Sequence, residues 1–334
     1  MSDASPVLIV AEVGSVHDGS YGNALRLIDA AADCGADAVK FQTHIADIET
    51  LPDAPAPSYF KHESRIHYFS RTAFDADQWR ALKARCADRG VMFLSSPFSE
   101  EAVDLLEAIG LERYKIPSGE VTNLPLLEKI ASLRKPVLLS SGMSSWTELD
   151  AAVAVIRRVH DDLTVMGCTS MYPCPYEHVG LNVLAAMKRR YGLPVGLSDH
   201  TMTSYAAIAA VTLGAVVVEK HFTFSRAMYG SDAAHSMEPA EFTDMVRGIR
   251  AVEVMLGSPV DKADASRFAD MKVIFEKSIV SRGEIPAGTV LTREMLAFKK
   301  PGTGIPPARV CEVVGRRAAH TVPANTLLSM DDLQ

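Results

Sequence analysis

The chain has 334 residues, nearly half of them apolar, and a formal charge of −7, which fits one large domain with a sizeable core plus a small second domain. The acidic balance excludes a broad nucleic-acid or anionic-membrane surface, but it leaves room for a local basic pocket that takes an anionic substrate. No apolar run is long enough for a membrane span, and MSDASPVLIVAEVG has neither the basic n-region nor the long apolar stretch of a signal peptide.

The first predicted strand is VLIVAEVG at 7–14, with Glu12 near its end. A helix follows from about Asn23 to Cys34, with Ala24, Leu27, Ile28 and Ala31 on one face and Gly35 as its stop. ADAVKFQ at 36–42 is the second strand and places Lys40 and Gln42 on one face. Residues 43–74, with PDAPAP and the histidines His44, His62 and His67, read as a long loop whose histidines are solvated. The helix DADQWRALKARCADRG leads to strand three at 91–98, and a helix over 100–109 leads to strand four at 113–120. A helix near 123–132 precedes strand five at 136–143, and one over 146–160 precedes strand six at 163–173. A helix near 181–190 leads to strand seven, PVGLSDHT from Pro194. Another through 203–213 leads to strand eight, AVVVEKHFT ending at Thr223. A loop with Asp232 and the helix EPAEFTDMVRGIRAVEVMLG complete the series.

Eight β-then-α units predict a (β/α)8 TIM barrel over 1–257. Residues 258–276, opening with SPVDKADASRF, read as a polar linker. Residues 277–334 are rich in Gly, Pro and short β-type pieces, and predict a small β-rich domain near the lower size limit for independent folding. Cys34, Cys86, Cys168, Cys174 and Cys311 are scattered and lack a C-x-x-C pair, as suits a reducing cytosol.

Strands buried against helices should be apolar throughout, yet every predicted strand ends in polar residues. These include Glu12, Lys40, Ser96, Lys115, Ser118, Ser141, Tyr172, Ser198, His200, Glu219 and His221. In this fold such ends form the functional face. His200 and His221 stand at the ends of adjacent strands roughly 4.8 Å apart. They are candidates for one divalent cation (Mn²⁺, Mg²⁺ or Zn²⁺) with Asp199 and Glu219 alongside; the alternative is a hydrogen-bonded pair of core histidines. Lys40 and Lys115, with Ser118, Ser141 and Ser198, form a candidate phosphate cradle, because an unpaired buried ammonium is costly. A Schiff-base lysine is the competing idea. Glu12 and Glu120 are candidate acid/base or hydroxyl-binding groups, or structural partners of a lysine. Tyr172 and Phe98 either line a sugar pocket or plug the barrel top.

With these residues in hand, the chain resembles the sialic acid synthase family. IVAEVG, DAVKFQTH, LSSPF, YKIPSGE, LSSGM, CTSMYP, GLSDHT and EKHFT occur in the family's order, and KKPGTGIPP resembles its C-terminal signature. The resemblance implies condensation of phosphoenolpyruvate with an N-acylated hexose. It implies Mn²⁺ on His200 and His221, phosphoenolpyruvate on Lys40, Lys115, Ser118, Ser141 and Ser198, and the sugar facing Gln42, Glu120, Tyr172 and Asp232. Glu12 would sit near the metal and the reacting carbons. The last module resembles the antifreeze-like (SAF) domain, which in this family caps the other subunit's barrel in a homodimer. Val16, Ser170 and Lys300 depart from the family pattern at positions that bear on sugar recognition, and CTSMYP also resembles the pseudaminic and legionaminic branches. The rivals are a class I aldolase and a carbohydrate-binding homologue that has lost catalysis.

Overall fold

A computed structural model describes residues 5–55 and 63–334. The chain divides after Ser258 into two compact units. In the first, eight parallel strands close into a barrel in sequence order. They are β1 (Leu8–Gly14), β2 (Ala38–Thr43), β3 (Met92–Pro97), β4 (Tyr114–Ile116), β5 (Val137–Ser140), β6 (Leu163–Cys168), β7 (Val195–Asp199) and β8 (Val217–His221). β1 pairs with both β2 and β8, which closes the ring.

The helices are α1 (Tyr21–Asp33), α2 (Ala46–Glu49), α3 (Arg65–Thr72), α4 (Ala76–Asp88), α5 (Glu100–Ala108), α6 (Leu124–Ser132), α7 (Trp146–Arg157), α8 (Leu181–Tyr191), α9 (Tyr205–Thr212) and α10 (Pro239–Gly257). Their starts follow from local chemistry. Ser20, Asp75, Ser99 and Ser145 each accept a backbone N–H of the first turn, and Asp75 and Ser145 complete capping boxes with Gln78 and Glu148. The apolar faces of these helices and the outer faces of the strands form the main core.

A second, smaller core fills the barrel itself, from Val10, Ala38, Leu94, Leu138, Met166 and Val217. Side chains two residues apart on a strand share a face. The next inward layer is therefore read directly from that plug: Glu12 after Val10, Lys40 after Ala38, Ser96 after Leu94, Cys168 after Met166, and Glu219 after Val217. An apolar plug beneath a polar layer is how a TIM barrel presents chemistry at the carboxyl ends of its strands.

Several boundaries differ from expectation. The segment 43–74 contains α2 and α3 and is not continuous loop. Ser64 caps α3 by accepting from His67 N, and Tyr68, Phe69 and Ile66 pack with Ala46 in a local cluster. β4 stops at Ile116, because Pro117 removes a ladder donor and a 3-10 turn follows over Ser118–Glu120. β6 ends at Cys168, so Ser170 and Tyr172 lie in the loop beyond it. The expected linker contains α11 (Ala269–Phe275).

The second unit has an antiparallel pair, β9 (Ser278–Ser281) and β10 (Leu296–Lys299), joined by isolated bridges around a core that includes Ile279, Leu291, Leu296 and Leu328. All five cysteines are free. Among the described residues no helix is long and apolar enough to cross a membrane.

His17, in the loop after β1, is 1% exposed and stacks on Phe74 at 4.5 Å. Its Nδ1 accepts from Gly19 N at 3.1 Å, so the ring is held neutral, and burial pushes its pKa down to about 4. The unfolded chain, with its histidine near 6.5, binds the extra proton first. Stability from this residue is therefore full above pH 6.5 and is lost as pH falls toward 4, by roughly 3 kcal/mol in all. The Tm of His17→Gln should vary less with pH between 6.5 and 4 than that of the unaltered chain. Parallel melting curves across that window check this.

Candidate active site

At the carboxyl ends of the barrel strands lies a cavity of roughly 480 Å³. It is lined by Glu12, Lys40, Gln42, Ser96, Phe98, Lys115, Ser118, Ser170, Tyr172, Ser198, His200, Glu219, His221 and Asp232, and also by His44, Arg65, Phe69, Met143 and Cys168. The strand register brings its floor together. Glu12 stands opposite Lys40 on one side and His221 on the other, and Ser198 stands opposite Glu219.

The floor is a buried lattice of two lysines and two glutamates. Lys115 Nζ donates to Glu219 Oε1 at 2.6 Å, and Ser198 Oγ donates to the same oxygen at 3.3 Å. Lys40 Nζ lies 2.7 Å from Glu12 Oε2 and 3.7 Å from Glu219 Oε1, and donates to Ser96 Oγ at 3.2 Å. Glu12 Oε2 meets Lys40 as an ion pair without a well-aligned hydrogen bond.

Burial would push both carboxyls up. At Glu219, Lys115 and then Lys40 outweigh burial and hold the group down at about 2. At Glu12 burial prevails over Lys40, and the charge of Glu219 adds to the rise. Burial pushes the Lys115 ammonium down despite Glu219. Lys40 is likewise opposed by burial but is raised by Glu12 and Glu219. One carboxylate is thus firmly ionised and its neighbour is poised to hold a proton, an arrangement suited to acid/base work.

Above this floor stand the two imidazoles, with ring centroids 5.4 Å apart. His200 Nδ1 faces the carbonyl oxygen of Thr169 at 2.8 Å and so donates to it, which leaves the Nε2 lone pair available. Burial, followed by the charge of His221, lowers the His200 pKa to about 3, so the ring is neutral. His221 Nδ1 is buried without a hydrogen-bond partner among the described residues. Two imidazoles this close, one oriented by a backbone carbonyl, are a fitting donor set for a divalent cation. Among the described residues no group of three or more His, Cys, Asp or Glu side chains could hold a metal, so such a cation would draw its other ligands from substrate and water. The Tyr172 ring lies against His200 at 4.2 Å, tilted by 35°, and meets His221 edge-on at 5.9 Å.

Asp199 does not join this set. Strand parity turns it outward, where it takes Lys220 Nζ at 2.6 Å. Ser141 donates to the Met166 carbonyl at 2.8 Å and Glu120 accepts from Asn123 at 2.8 Å; neither lines the cavity. Lys300, in the second unit, has its Nζ 4.9 Å from the centre of the Phe275 ring. Val16 is fully buried.

His44, expected in solvent, is instead buried and sandwiched between Phe69 at 3.7 Å and Phe98 at 4.0 Å. Its position two residues after Gln42 on the continuing chain was a usable signal, as was that of Cys168 two after Met166. Nothing in the sequence pointed to Arg65, which α3 delivers and whose Nε has no partner among the described residues. His67 is exposed and faces Glu63, and His62 lies outside the described residues.

Gly14 shows how tightly the rim is drawn. At φ +54° it sits where β1 and β2 slip register, and a Cβ there would lie 2.9 Å from Asp232 Oδ2 and 3.2 Å from Gln42 Nε2. Glycine satisfies both the left-handed backbone and the close approach.

Comparison with known proteins agrees with this architecture. Residues 27–261 match the NeuB family and residues 276–334 the SAF domain. The chain is 36% identical over 329 residues to the N,N'-diacetyllegionaminic acid synthase of Campylobacter jejuni, covering 96% of this chain and 98% of that protein. It is 33% identical over 330 residues to the N-acetylneuraminate-9-phosphate synthase of Homo sapiens, covering 95% and 90%. Its structure is similar to that of the N-acetylneuraminic acid synthetase of Leptospira borgpetersenii, with a TM-score of 0.71 at 29% identity over 81% of this chain and 94% of that one.

Proposed function

The chain belongs to the NeuB family of nonulosonic acid synthases, and from that membership we propose that it condenses phosphoenolpyruvate with the open-chain form of an N-acylated hexose. The products are a nine-carbon 2-keto acid and inorganic phosphate. Carbon 3 of phosphoenolpyruvate bonds to the sugar aldehyde carbon, water adds at carbon 2, and phosphate departs with the carbon–oxygen bond.

The observation that carries this reading is the buried Lys40–Lys115 pair beside two imidazoles at the mouth of the barrel. Lys40 and Lys115, with Ser118 and Ser198, bind the phosphate and carboxylate of phosphoenolpyruvate, since ammonium and hydroxyl donors are what those oxygens accept. Glu12, pushed above the usual carboxyl range by burial despite Lys40, would carry a proton for the aldehyde oxygen or the attacking water. Gln42, Asp232, Tyr172, Phe98 and Ser170 face the sugar. A divalent cation on His200 and His221, for which Mn²⁺ is the first choice, would supply Lewis-acid polarisation of the sugar carbonyl. The cavity walls hold both reactants at contact distance, replacing a chance encounter by an oriented one, and a closed site limits loss of phosphoenolpyruvate to water.

The lowered Lys115 pKa favours one competing reading, a Schiff-base aldolase. Against it, Lys115 Nζ lies 2.6 Å from Glu219, a contact that favours the ammonium over the free amine a Schiff base requires, and borohydride with a keto acid should leave the protein mass unchanged. The five free cysteines suit a reducing cytosol. Exposed apolar side chains on α10 (Val254, Met255, Leu256) and α11 (Met271, Ile274, Phe275) suit a homodimer in which the SAF-type unit caps the second copy's barrel.

Phosphate release from phosphoenolpyruvate tests the assignment, using N-acetylmannosamine and diacetamido-trideoxyhexoses with and without Mn²⁺. Release should require both a sugar and a divalent cation, and EDTA should stop it. Lys300 stands where the family resemblance implies an Arg that reaches the sugar's N-acyl group, and an ammonium cannot reproduce a planar guanidinium, so the sugars should turn over at unequal rates. Release indifferent to every sugar would overturn the proposal.

A further inference from the structure

The geometry points to His44 as a positioning residue that sets the amide of Gln42 and, through it, the presentation of Glu12. This rests on the synthase reading for its catalytic consequence, but not for its geometry. Gln42 bridges two neighbours: its Nε2 donates to Glu12 Oε1 at 2.9 Å, and its Oε1 faces His44 Nε2 at 3.1 Å. The two ends of an amide have nearly the same shape and opposite hydrogen-bonding character, so neighbours decide which way it lies. A rotation of 180° would set the amide oxygen against the Glu12 carboxylate.

His44 prevents that rotation only if its Nε2 carries a proton, and the other end of the ring supplies the reason. His44 Nδ1 lies 2.7 Å from Glu49 Oε1, and both side chains are 4% exposed. With Nε2 protonated, the proton in that contact leaves the pair neutral whether it sits on Nδ1 or on Glu49, whereas a bare Nε2 would leave the buried pair with a net negative charge, which burial penalises. The ring is clamped between Phe69 and Phe98, at 26° and 18° to their planes, and cannot turn without unstacking. Burial prevails over Glu49 and lowers the His44 pKa, while Arg65 and Asp232, the charged groups that face it from the other elements around it, act in opposite directions.

The donor sequence therefore runs from the Glu49–His44 pair to Gln42 and from Gln42 to Glu12, where it ends on a carboxyl that Lys40 approaches from the other side. It fixes one Glu12 oxygen against Gln42 and leaves the other beside Lys40.

Two measurements test this. Nitrogen-15 histidine NMR on the full-length protein should show His44 Nε2 protonated. The signal is assigned by its loss in His44→Phe or, should that variant not fold, by its shift in Gln42→Leu. An unprotonated Nε2 would overturn the relay. In steady-state kinetics, His44→Phe keeps an aromatic ring in the clamp and removes the donor, and should lower kcat/KM for the sugar about tenfold. The double variant with Gln42→Leu should be no worse than Gln42→Leu alone, since His44 acts through that amide. Multiplying losses would overturn the proposal. If the unaltered protein condenses phosphoenolpyruvate with none of the sugars, the synthase reading falls and the NMR result alone decides the relay.

Discussion

Lys115→Met is expected to lower kcat/KM for phosphoenolpyruvate by roughly 10²–10³, the scale for removing one preorganised donor from a site of developing charge. The side chain is 2% exposed and its ammonium lies 2.6 Å from Glu219. Without it, the partners left to Glu219 among the described residues are Lys40 at 3.7 Å and the Ser198 hydroxyl. A buried carboxylate stripped of its nearest cation costs about 3–5 kcal/mol, so the variant should also melt early. The two losses separate in Lys115→Met/Glu219→Gln, which removes both charges. That protein should recover most of the lost stability and none of the lost rate. Melting curves beside kcat and KM for phosphoenolpyruvate decide it; a double variant that regains activity would mean that Lys115 serves only to neutralise Glu219.

Lys220→Met is expected to destabilise the barrel about as much, roughly 3–5 kcal/mol, or on the order of 10 °C in Tm. This lysine is 2% exposed and points away from the cavity. Its Nζ donates to Asp199 Oδ2 at 2.6 Å, to Thr201 Oγ1 at 3.1 Å, to the Thr203 carbonyl at 3.0 Å and to the Thr201 carbonyl. Asp199 in turn accepts from Thr201 N at 2.8 Å. This knot secures the turn that carries His200, so the variant should also bind Mn²⁺ more weakly, as read by titration of the purified protein. A Tm within a degree of the unaltered protein's would show that the knot contributes little.

Legibility in the sequence followed strand parity. The plug residues Val10, Ala38, Met166 and Val217 predict what stands two positions later, and Glu12, Lys40, Cys168 and Glu219 are found there. In VEKH the same parity turns Glu219 and His221 inward and Lys220 outward. The rule lapses where strands stop. β4 ends before Ser118 and Glu120, and β6 before Ser170 and Tyr172, so the placement of those residues depends on loop geometry. Ser141 stands just past β5, where its hydroxyl found a backbone carbonyl. His44 looked solvated because composition marks its segment as loop, and nothing local reveals that α3 folds Phe69 over it.

By itself the sequence determined the eight-unit rhythm, the barrel, the inward identity of the polar layer and the family, because these follow from side-chain period and ordered motifs that need no distant contact. Tertiary structure alone decided which lysine answers which carboxylate, that Asp199 belongs to Lys220, that Phe69 and Phe98 clamp His44, and that Arg65 lines the cavity. Those outcomes depend on segments far apart in the chain meeting within a few ångströms, where burial and pairing set each charge.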